Sequence, residues 1–357
     1  MSKIAILHPK ATIKWWAIKT LFEIWNIFNE NEKNEIKFFV LELDRGNCFP
    51  ELNQNLQITT YQSKWWKRIL AFLKIAFSLR NFDYIIAWNS PMHFVWVFAK
   101  IFNPKLKVYW YLQNIPVYYL PQNKSIITLF KKYLEKIAVF FLDKIITNST
   151  FIRDEAKRDF WKDTEILYPS VNTDFFSNDH SAMEENQTIF CYSRLSKGKN
   201  VELAIKSYIE LQKDHPWLKL IIWWDWEERS KLEEMAQFYP QISFLWEITP
   251  ERAKEEFAKS TVFLFTSLID AFWLTILEAM SMEKAVVAMA IWWAKELIGH
   301  WENWYLAKNE DEYYLYIDEL LRDSEKRWSM WEKWRQWALW HFSKDAMRRD
   351  LKNLFKI

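Results

Sequence analysis

Glycine is almost missing from this 357-residue chain: Gly46, Gly198 and Gly299 are present, where an ordinary share of about 7% would supply roughly 25. Cysteine is equally sparse. Cys48 and Cys191 fall in unrelated contexts, which argues against a disulfide framework or a thiolate metal cage. No uninterrupted apolar run reaches the roughly 18 residues that a membrane span needs. The opening Met-Ser-Lys-Ile-Ala-Ile-Leu-His-Pro has an apolar run too short for a secretory signal and reads as a first buried strand. No Asp-x-Asp triplet occurs, and neither a solenoid repeat nor a low-complexity tail is visible. What remains is a cytoplasmic globular protein. Its length suits two domains of about 150 residues each.

What the chain has in excess is tryptophan. There are 24, and with the three glycines they make 27, close to an ordinary glycine allotment. Trp15-Trp16, Trp223-Trp224-Asp225-Trp226 and Trp292-Trp293 each follow an apolar run and precede a helical pattern. Strand-to-helix turns of that kind favour glycine, which permits positive φ and close backbone approach. Trp328, Trp331, Trp334, Trp337 and Trp340 crowd an otherwise polar stretch, where a true aromatic stripe would be an uncovered patch. The expectation is that the source reads UGA as glycine and that most of these positions are glycine in the natural protein. Trp110, inside Val-Tyr-Trp-Tyr-Leu, fits its context as a genuine aromatic. The competing reading is a noncatalytic, tryptophan-rich sugar-binding surface.

Short apolar runs alternate with helix-length amphipathic segments throughout. Strands are expected at 3–8, 36–43, 56–61, 84–88, 107–112, 144–148 and 164–168, then at 188–193, 218–223, 242–247, 261–266, 285–290 and 303–307. Strands alternating with helices indicate parallel sheets of βαβ units, and two such series indicate two Rossmann-like domains. The expected division is an N-terminal domain at 1–170, a polar linker at 171–187, a C-terminal domain at 188–335, and a basic C-terminal helix at 336–357 packing back on the first domain.

The richest segment is 267–299. With glycine at 273, 292 and 293 it reads D-A-F-G-L-T-I-L-E-A-M, then K-A-V-V-A, then G-G-A-K-E-L-I. A helix beginning near Leu274–Thr275 would offer free backbone N–H groups and its dipole to a diphosphate. Asp270 at the loop entrance could hold sugar hydroxyls and favour positive charge at an anomeric carbon, and Glu278 could accept from ribose hydroxyls. After the strand at 188–193 comes Tyr-Ser-Arg-Leu-Ser-Lys-Gly-Lys-Asn, in which Arg194 and Lys199 could neutralise a departing diphosphate.

Together these motifs closely resemble the donor-site signature of family 4 glycosyltransferases. Asp270 stands where that family usually has Glu, and Ser193 where it has glycine. Leu220-Ile221-Ile222-Trp223-Trp224-Asp225-Trp226 is similar to the family's nucleotide turn, Trp15-Trp16 to its Gly-Gly loop, and Tyr168-Pro169-Ser170-Val171-Asn172 to its interdomain stretch. The resemblance is strong over 188–308 and diffuse before 140.

It implies a GT-B fold, two Rossmann-like domains with a donor cleft between them, and a retaining transfer that uses the donor's own phosphate as proton acceptor. Asp270 and Glu278 become the catalytic pair. Arg194, Lys199, Phe272, Trp273, Leu274 and Thr275 become the diphosphate site, and Trp15, Trp16, Trp223, Asp225, Trp226 and Glu278 the nucleotide loops. Trp292, Trp293 and Glu296 support them. No metal and no separate cofactor are implied; the donor is a UDP- or GDP-sugar. The acceptor is a cell-envelope glycan or lipid-linked molecule, or, alternatively, a sugar phosphate or storage glucan for a soluble synthase of the same fold. Nucleic acid is not an expected partner. His8, His93 and Gln113-Asn114 are acceptor-side candidates whose plainer reading is structural.

Charge adds one more expectation. Residues 1–170 hold 24 Lys+Arg against 15 Asp+Glu, and the remainder holds 24 against 31. A basic first half is compatible with peripheral contact with an acidic membrane surface, on the inner face of the cell membrane. The segment Lys64–Arg80, with Lys67, Arg68 and Lys74 beside Leu70, Phe72, Leu73 and Phe77, could rest on such a surface. Its preferred reading is a helix packed before the strand at 84–88.

Overall fold

A computed structural model describes residues 2–11, 16–30, 34–43, 65–88, 92–113, 126–178, 187–193, 197–223, 228–245, 249–268, 274–290 and 305–355. The chain divides into two units, Met1–Pro169 with Met347–Ile357, and Ser170–Ala346.

The first unit is built on a six-stranded parallel sheet in the order β2-β1-β3-β4-β5-β6. Its strands are β1 (Lys3–Ala11), β2 (Glu35–Leu43), β3 (Tyr84–Ala87), β4 (Lys107–Leu112), β5 (Lys144–Thr147) and β6 (Thr164–Ile166). Strands buried on both faces read as continuous apolar runs, as in Ile-Ala-Ile-Leu of β1 and Tyr-Ile-Ile-Ala of β3. The expected strand at 56–61 lies outside the described residues. β1 runs on past His8 and through Pro9, pairing Lys10 with Glu42 and Ala11 with Leu43 on β2. Among the described residues its register with β3 ends at Leu7, so Pro9, which lacks an N–H, interrupts no described ladder bond on that side.

Helices cover both faces of this sheet. On one side lie α1 (Trp16–Asn29) and the chain's last helix; on the other lie α2 (Trp65–Ser78), α3 (His93–Phe102), α4 (Ile126–Val139) and α5 (Thr150–Phe160). Helix α1 turns Ile18, Leu21, Ile24, Trp25 and Phe28 inward at the 3–4 residue spacing of an amphipathic helix. Helix α5 is capped by Ser149, whose hydroxyl accepts from the Ile152 N–H at 3.2 Å. It stops at Trp161, which has a left-handed backbone (φ 53°), closes the helix through its own N–H to the Lys157 carbonyl, and is 89% exposed. That helix-ending position is where glycine is ordinarily found.

The second unit carries another six-stranded parallel sheet, ordered β12-β11-β10-β7-β8-β9. The strands are β7 (Thr188–Tyr192), β8 (Lys219–Trp223), β9 (Ile242–Leu245), β10 (Val262–Phe265), β11 (Ala285–Met289) and β12 (Tyr305–Ala307). The intervening helices are α6 (Glu202–Leu211), α7 (Arg229–Ala236), α8 (Pro250–Lys259), α9 (Leu274–Ser281) and α10 (Glu310–Arg322), followed by α11 (Ser324–Phe342) and α12 (Lys344–Phe355). Start signals are explicit. Thr249 caps α8 with Pro250 at its first position, and Asn309 caps α10 by accepting from the Glu312 N–H at 2.8 Å. Phe190, Phe257 and Phe263 pack edge-on or tilted at 5.1–6.0 Å between ring centres on one side of the sheet.

The C-terminal region is two helices rather than one, broken at Ser343, whose hydroxyl accepts from the Ala346 N–H. Met347, Leu351, Leu354 and Phe355 of α12 are buried against the first unit's core, with Phe355 edge-on to Phe28 at 5.1 Å. The architecture is thus α/β, with two Rossmann-like domains of parallel strands. No helix among the described residues is long and apolar enough to cross a membrane.

Candidate functional site

Strand order locates the ligand edge of each sheet. In an open parallel sheet, a crevice forms at the carboxyl ends of two adjacent strands whose connections leave in opposite directions. In the second unit that point lies between β7 and β10, because β7 leads outward to β8 while β10 leads the other way to β11.

The carboxyl end of β7 is Tyr192, paired with Trp223 at the end of β8. Their rings lie 3.7 Å apart between centres at a 34° tilt. Burial raises the Tyr192 hydroxyl's pKa well above its ordinary value, and the nearby Glu278 carboxylate pushes it the same way. Glu278 is on α9, the helix that follows β10, and β10 is the neighbour of β7 in the sheet. Helix α9 begins at Leu274, so Leu274 and Thr275 are its first residues and Glu278 follows one turn later. The N–H groups of this first turn have no partner within the helix and the positive end of its dipole lies there.

A second element converges on the same edge. Lys197–Lys199 forms a single 3-10 turn, and Asn200 after it has a left-handed backbone (φ 48°). The turn is pinned to the end of β10: Thr266 donates its hydroxyl to the Lys199 carbonyl at 2.8 Å, and the Leu268 N–H donates to the Gly198 carbonyl at 3.0 Å. Below it Cys191 is fully buried, and that burial pushes its thiol pKa up to about 12, which makes it an inert core residue. Lys199, Tyr192, Trp223, Leu274, Thr275 and Glu278 therefore gather at one end of one sheet. Thr266 and Tyr192 were not among the expected site residues. The signal for Thr266 was the abrupt Thr-Ser that follows the apolar Val-Phe-Leu-Phe.

The remaining expected residues Asp270, Phe272, Trp273, Arg194, Trp15, Asp225, Trp226, Trp292, Trp293 and Glu296 lie outside the described residues. Trp16 is the first residue of α1 and Trp223 the last of β8. Neither has a left-handed backbone; among the described tryptophans only Trp161 does, and it lies at no expected site.

In the first unit the corresponding point falls between β1 and β3. His8 of β1 and Trp88 just after β3 meet there, rings 4.5 Å apart. The Trp88 indole donates to the Gln113 side-chain carbonyl at 2.8 Å, and Asn148 donates to the Gln113 backbone carbonyl at 2.9 Å. His93 is buried, packs tilted against Phe94 at 4.4 Å, and desolvation lowers its pKa to about 4. His8 and Gln113 are thus brought to one edge, whereas Asn114 lies outside the described residues.

Comparison with known proteins fits this arrangement. Residues 172–337 match the family model described as glycosyl transferases, group 1. This segment is a glycosyl transferases group 1 domain. It contains β7 through α10 and every described member of the second-unit cluster.

Among curated proteins, the chain is similar to the alpha-1,3/1,6-mannosyltransferase ALG2 of Yarrowia lipolytica, at 28% identity over 62% of this chain and 54% of the relative. It is also similar to an uncharacterized glycosyltransferase of Methanocaldococcus jannaschii, at 23% identity over 51% and 48%. The chain spans about half the length of the curated relatives it matches. Among solved structures, HepE of Anabaena in complex with UDP and glucose superposes with a TM-score of 0.81 at 18% identity, covering all of both chains. A glycosyltransferase from Rickettsia africae superposes at 0.82 and 17%, covering 99% of this chain and 98% of its own. The fold around the group 1 domain is GT-B.

Proposed function

We propose that this chain is a retaining glycosyltransferase that moves a sugar from a UDP- or GDP-sugar to a glycan or lipid-linked acceptor. The observation that carries the proposal is the convergence, inside the group 1 domain, of the Lys197–Lys199 turn, the start of α9 and Glu278 on the switch point of the second sheet. Such an edge supplies what a nucleoside diphosphate needs: a cation, unpaired N–H groups at a helix start, and a carboxylate for ribose hydroxyls.

In the proposed reaction the bond between the anomeric carbon and the diphosphate oxygen breaks. The acceptor hydroxyl oxygen forms a new bond to the same carbon and face, and its proton passes to the departing diphosphate. Lys199, with Arg194, offsets the growing charge on the diphosphate. Leu274 and Thr275 present backbone N–H groups to it, alongside Phe272 and Trp273. Glu278 fixes the ribose, and Asp270 holds the sugar. Retention rests on the family resemblance of the motif. The first-unit cluster of His8, Trp88 and Gln113 is the acceptor side in this reading.

We further propose that Trp15, Trp16, Trp226, Trp273, Trp292 and Trp293 stand for glycine, encoded by UGA. The support is Trp161, a large exposed residue held in a left-handed helix end. Against a sugar-binding tryptophan surface stands the spacing of Trp328 and Trp340, the exposed tryptophans of α11 among the described residues, which point about 120° from each other around the helix.

Transfer from UDP- and GDP-sugars by the full chain tests the reading. Glu278→Gln should raise the donor KM about ten- to a hundredfold, the value of a hydrogen bond to a charged group. An unchanged donor KM in that variant would remove Glu278 from the site.

A further inference from the structure

The outer side of the helical layer formed by α2, α3 and α4 is unusual. Their inner sides are ordinary core: Ala71, Ile75, Val95, Trp96, Ala99 and Ala138 are buried against the first sheet. Their outer sides are apolar as well. Among the described residues, twelve of the twenty exposed large hydrophobics lie between 69 and 141, about a fifth of the chain. Leu70 and Phe77 project from α2, Ile101 from α3, and Phe130, Tyr133 and Phe140 from α4 and the turn after it; Phe140 is 81% exposed. The surface is continuous from α2 to α3, where Phe77 meets Phe102 edge-on at 5.7 Å. Helix α4 is tied alongside by the Trp96 indole, which donates to the Ala138 carbonyl at 3.1 Å.

Charge falls in the same place. Residues 65–142 hold eleven Lys+Arg and two Asp+Glu, a balance of +9 that equals the entire excess of residues 1–170. Of the two acids, Glu135 is fully buried, and Asp83, just before β3, accepts from the Lys3 backbone N–H. Lys100 and Lys107 are answered by Asp143, whereas Lys131 and Lys136 are exposed on α4 between the apolar residues.

We propose that this three-helix face docks on an anionic phospholipid surface. Apolar side chains that enter the headgroup boundary, interleaved with lysines, are the combination such a surface recognises. Self-association through the same face is opposed by its charge, because two copies would bring Lys131 and Lys136 of one against like charges of the other. The apolar residues that project from the face, Leu70, Phe77, Ile101, Phe130, Tyr133 and Phe140, include no tryptophan, so their identity does not change with the reading of UGA. The proposal rests on the reading of a lipid-linked or envelope acceptor for its purpose only; lipid binding is measured without donor, so each can fail alone.

The test is co-sedimentation of the full chain with vesicles of phosphatidylcholine alone or with one third phosphatidylglycerol, at about 0.1 M and about 0.5 M salt. At least about tenfold more protein should bind the anionic vesicles at low salt, and salt should release most of it. Two variants, one with Phe130→Ser and Phe140→Ser, the other with Lys131→Gln and Lys136→Gln, should each lower binding at least about fivefold. Both should keep the wild-type far-UV circular dichroism and a cooperative urea transition, which shows them folded. Equal binding to neutral vesicles, no binding to either, or wild-type binding by both variants would overturn the proposal. So would a concentration-dependent dimer that the Phe variant abolishes.

Discussion

Replacing Trp161 by glycine should make the first unit more stable, although it removes a large aromatic. Trp161 ends α5 at φ 53°, where an L-residue with a Cβ is held at a cost of about 1–2 kcal/mol. Its side chain is 89% exposed, so truncation forfeits almost no burial. Glycine relieves the Cβ strain but has the more flexible unfolded chain, which returns a few tenths of a kcal/mol or more. The net expectation for Trp161→Gly over Trp161→Ala is about 1 kcal/mol, or about a fivefold shift in the opening equilibrium. Alanine is the right reference because it keeps the Cβ and removes the ring. Native-state hydrogen exchange of the slowest amides in β4 and β5 reads this directly, with exchange about fivefold slower in the glycine variant. Exchange as fast in the glycine variant as in the alanine variant would show that the left-handed backbone costs nothing there. The structural support for a glycine at this position would then be gone.

Two further outcomes follow from burial. The His93 pKa of about 4 in the folded chain lies below its ordinary 6.5, so the unfolded chain takes up the proton first as pH falls. Stability is unaffected above about pH 6.5 and declines from there toward pH 4, by about 2 kcal/mol at pH 5. Urea titrations at pH 7 and pH 5 should show that loss in the wild type and not in His93→Gln; equal losses would mean that another group is responsible. Phe257 is fully buried between Phe190 and Phe263, and Phe257→Ala should cost about 3–5 kcal/mol. Exchange should quicken at β7 and β10 while the first unit's β4 and β5 keep their protection. A uniform effect on both sheets would contradict separate cores.

The parallel sheets were legible because strands buried on both faces must be apolar throughout, and runs such as Ile-Ile-Ala and Val-Phe-Leu-Phe admit few other readings. Ends were harder. The strand expected at 3–8 runs on through Pro9 to Ala11, and among the described residues its pairing with β3 ends at Leu7 while that with β2 continues. The helix expected to begin near Leu274–Thr275 does so, with α9 starting at Leu274, because an apolar helical pattern opens there. Thr266 was not legible as a pin for Lys199, since the two are 67 positions apart and only strand order brings β7 next to β10. The left-handed tryptophan was missed for a different reason. Attention to strand-to-helix turns singled out Trp16 and Trp223, whereas the strained residue is at the end of a surface helix, Trp161. The lipid-facing helices were half legible: Lys64–Arg80 reads as a helix packed before β3, and α2 does pack there, while its outer side shows Leu70 and Phe77.

The measurement that tests the central claim most directly compares the chain as written with one carrying glycine at 15, 16, 226, 273, 292 and 293. Both are titrated with UDP- and GDP-sugars and assayed for sugar transfer. The glycine chain should bind one of the donors and transfer its sugar, while the chain with tryptophan at those positions should bind at least about tenfold more weakly, because turns that approach a diphosphate closely favour a residue without a side chain. Failure of the glycine chain to bind either donor would contradict a nucleotide-sugar site at the switch point of the second sheet.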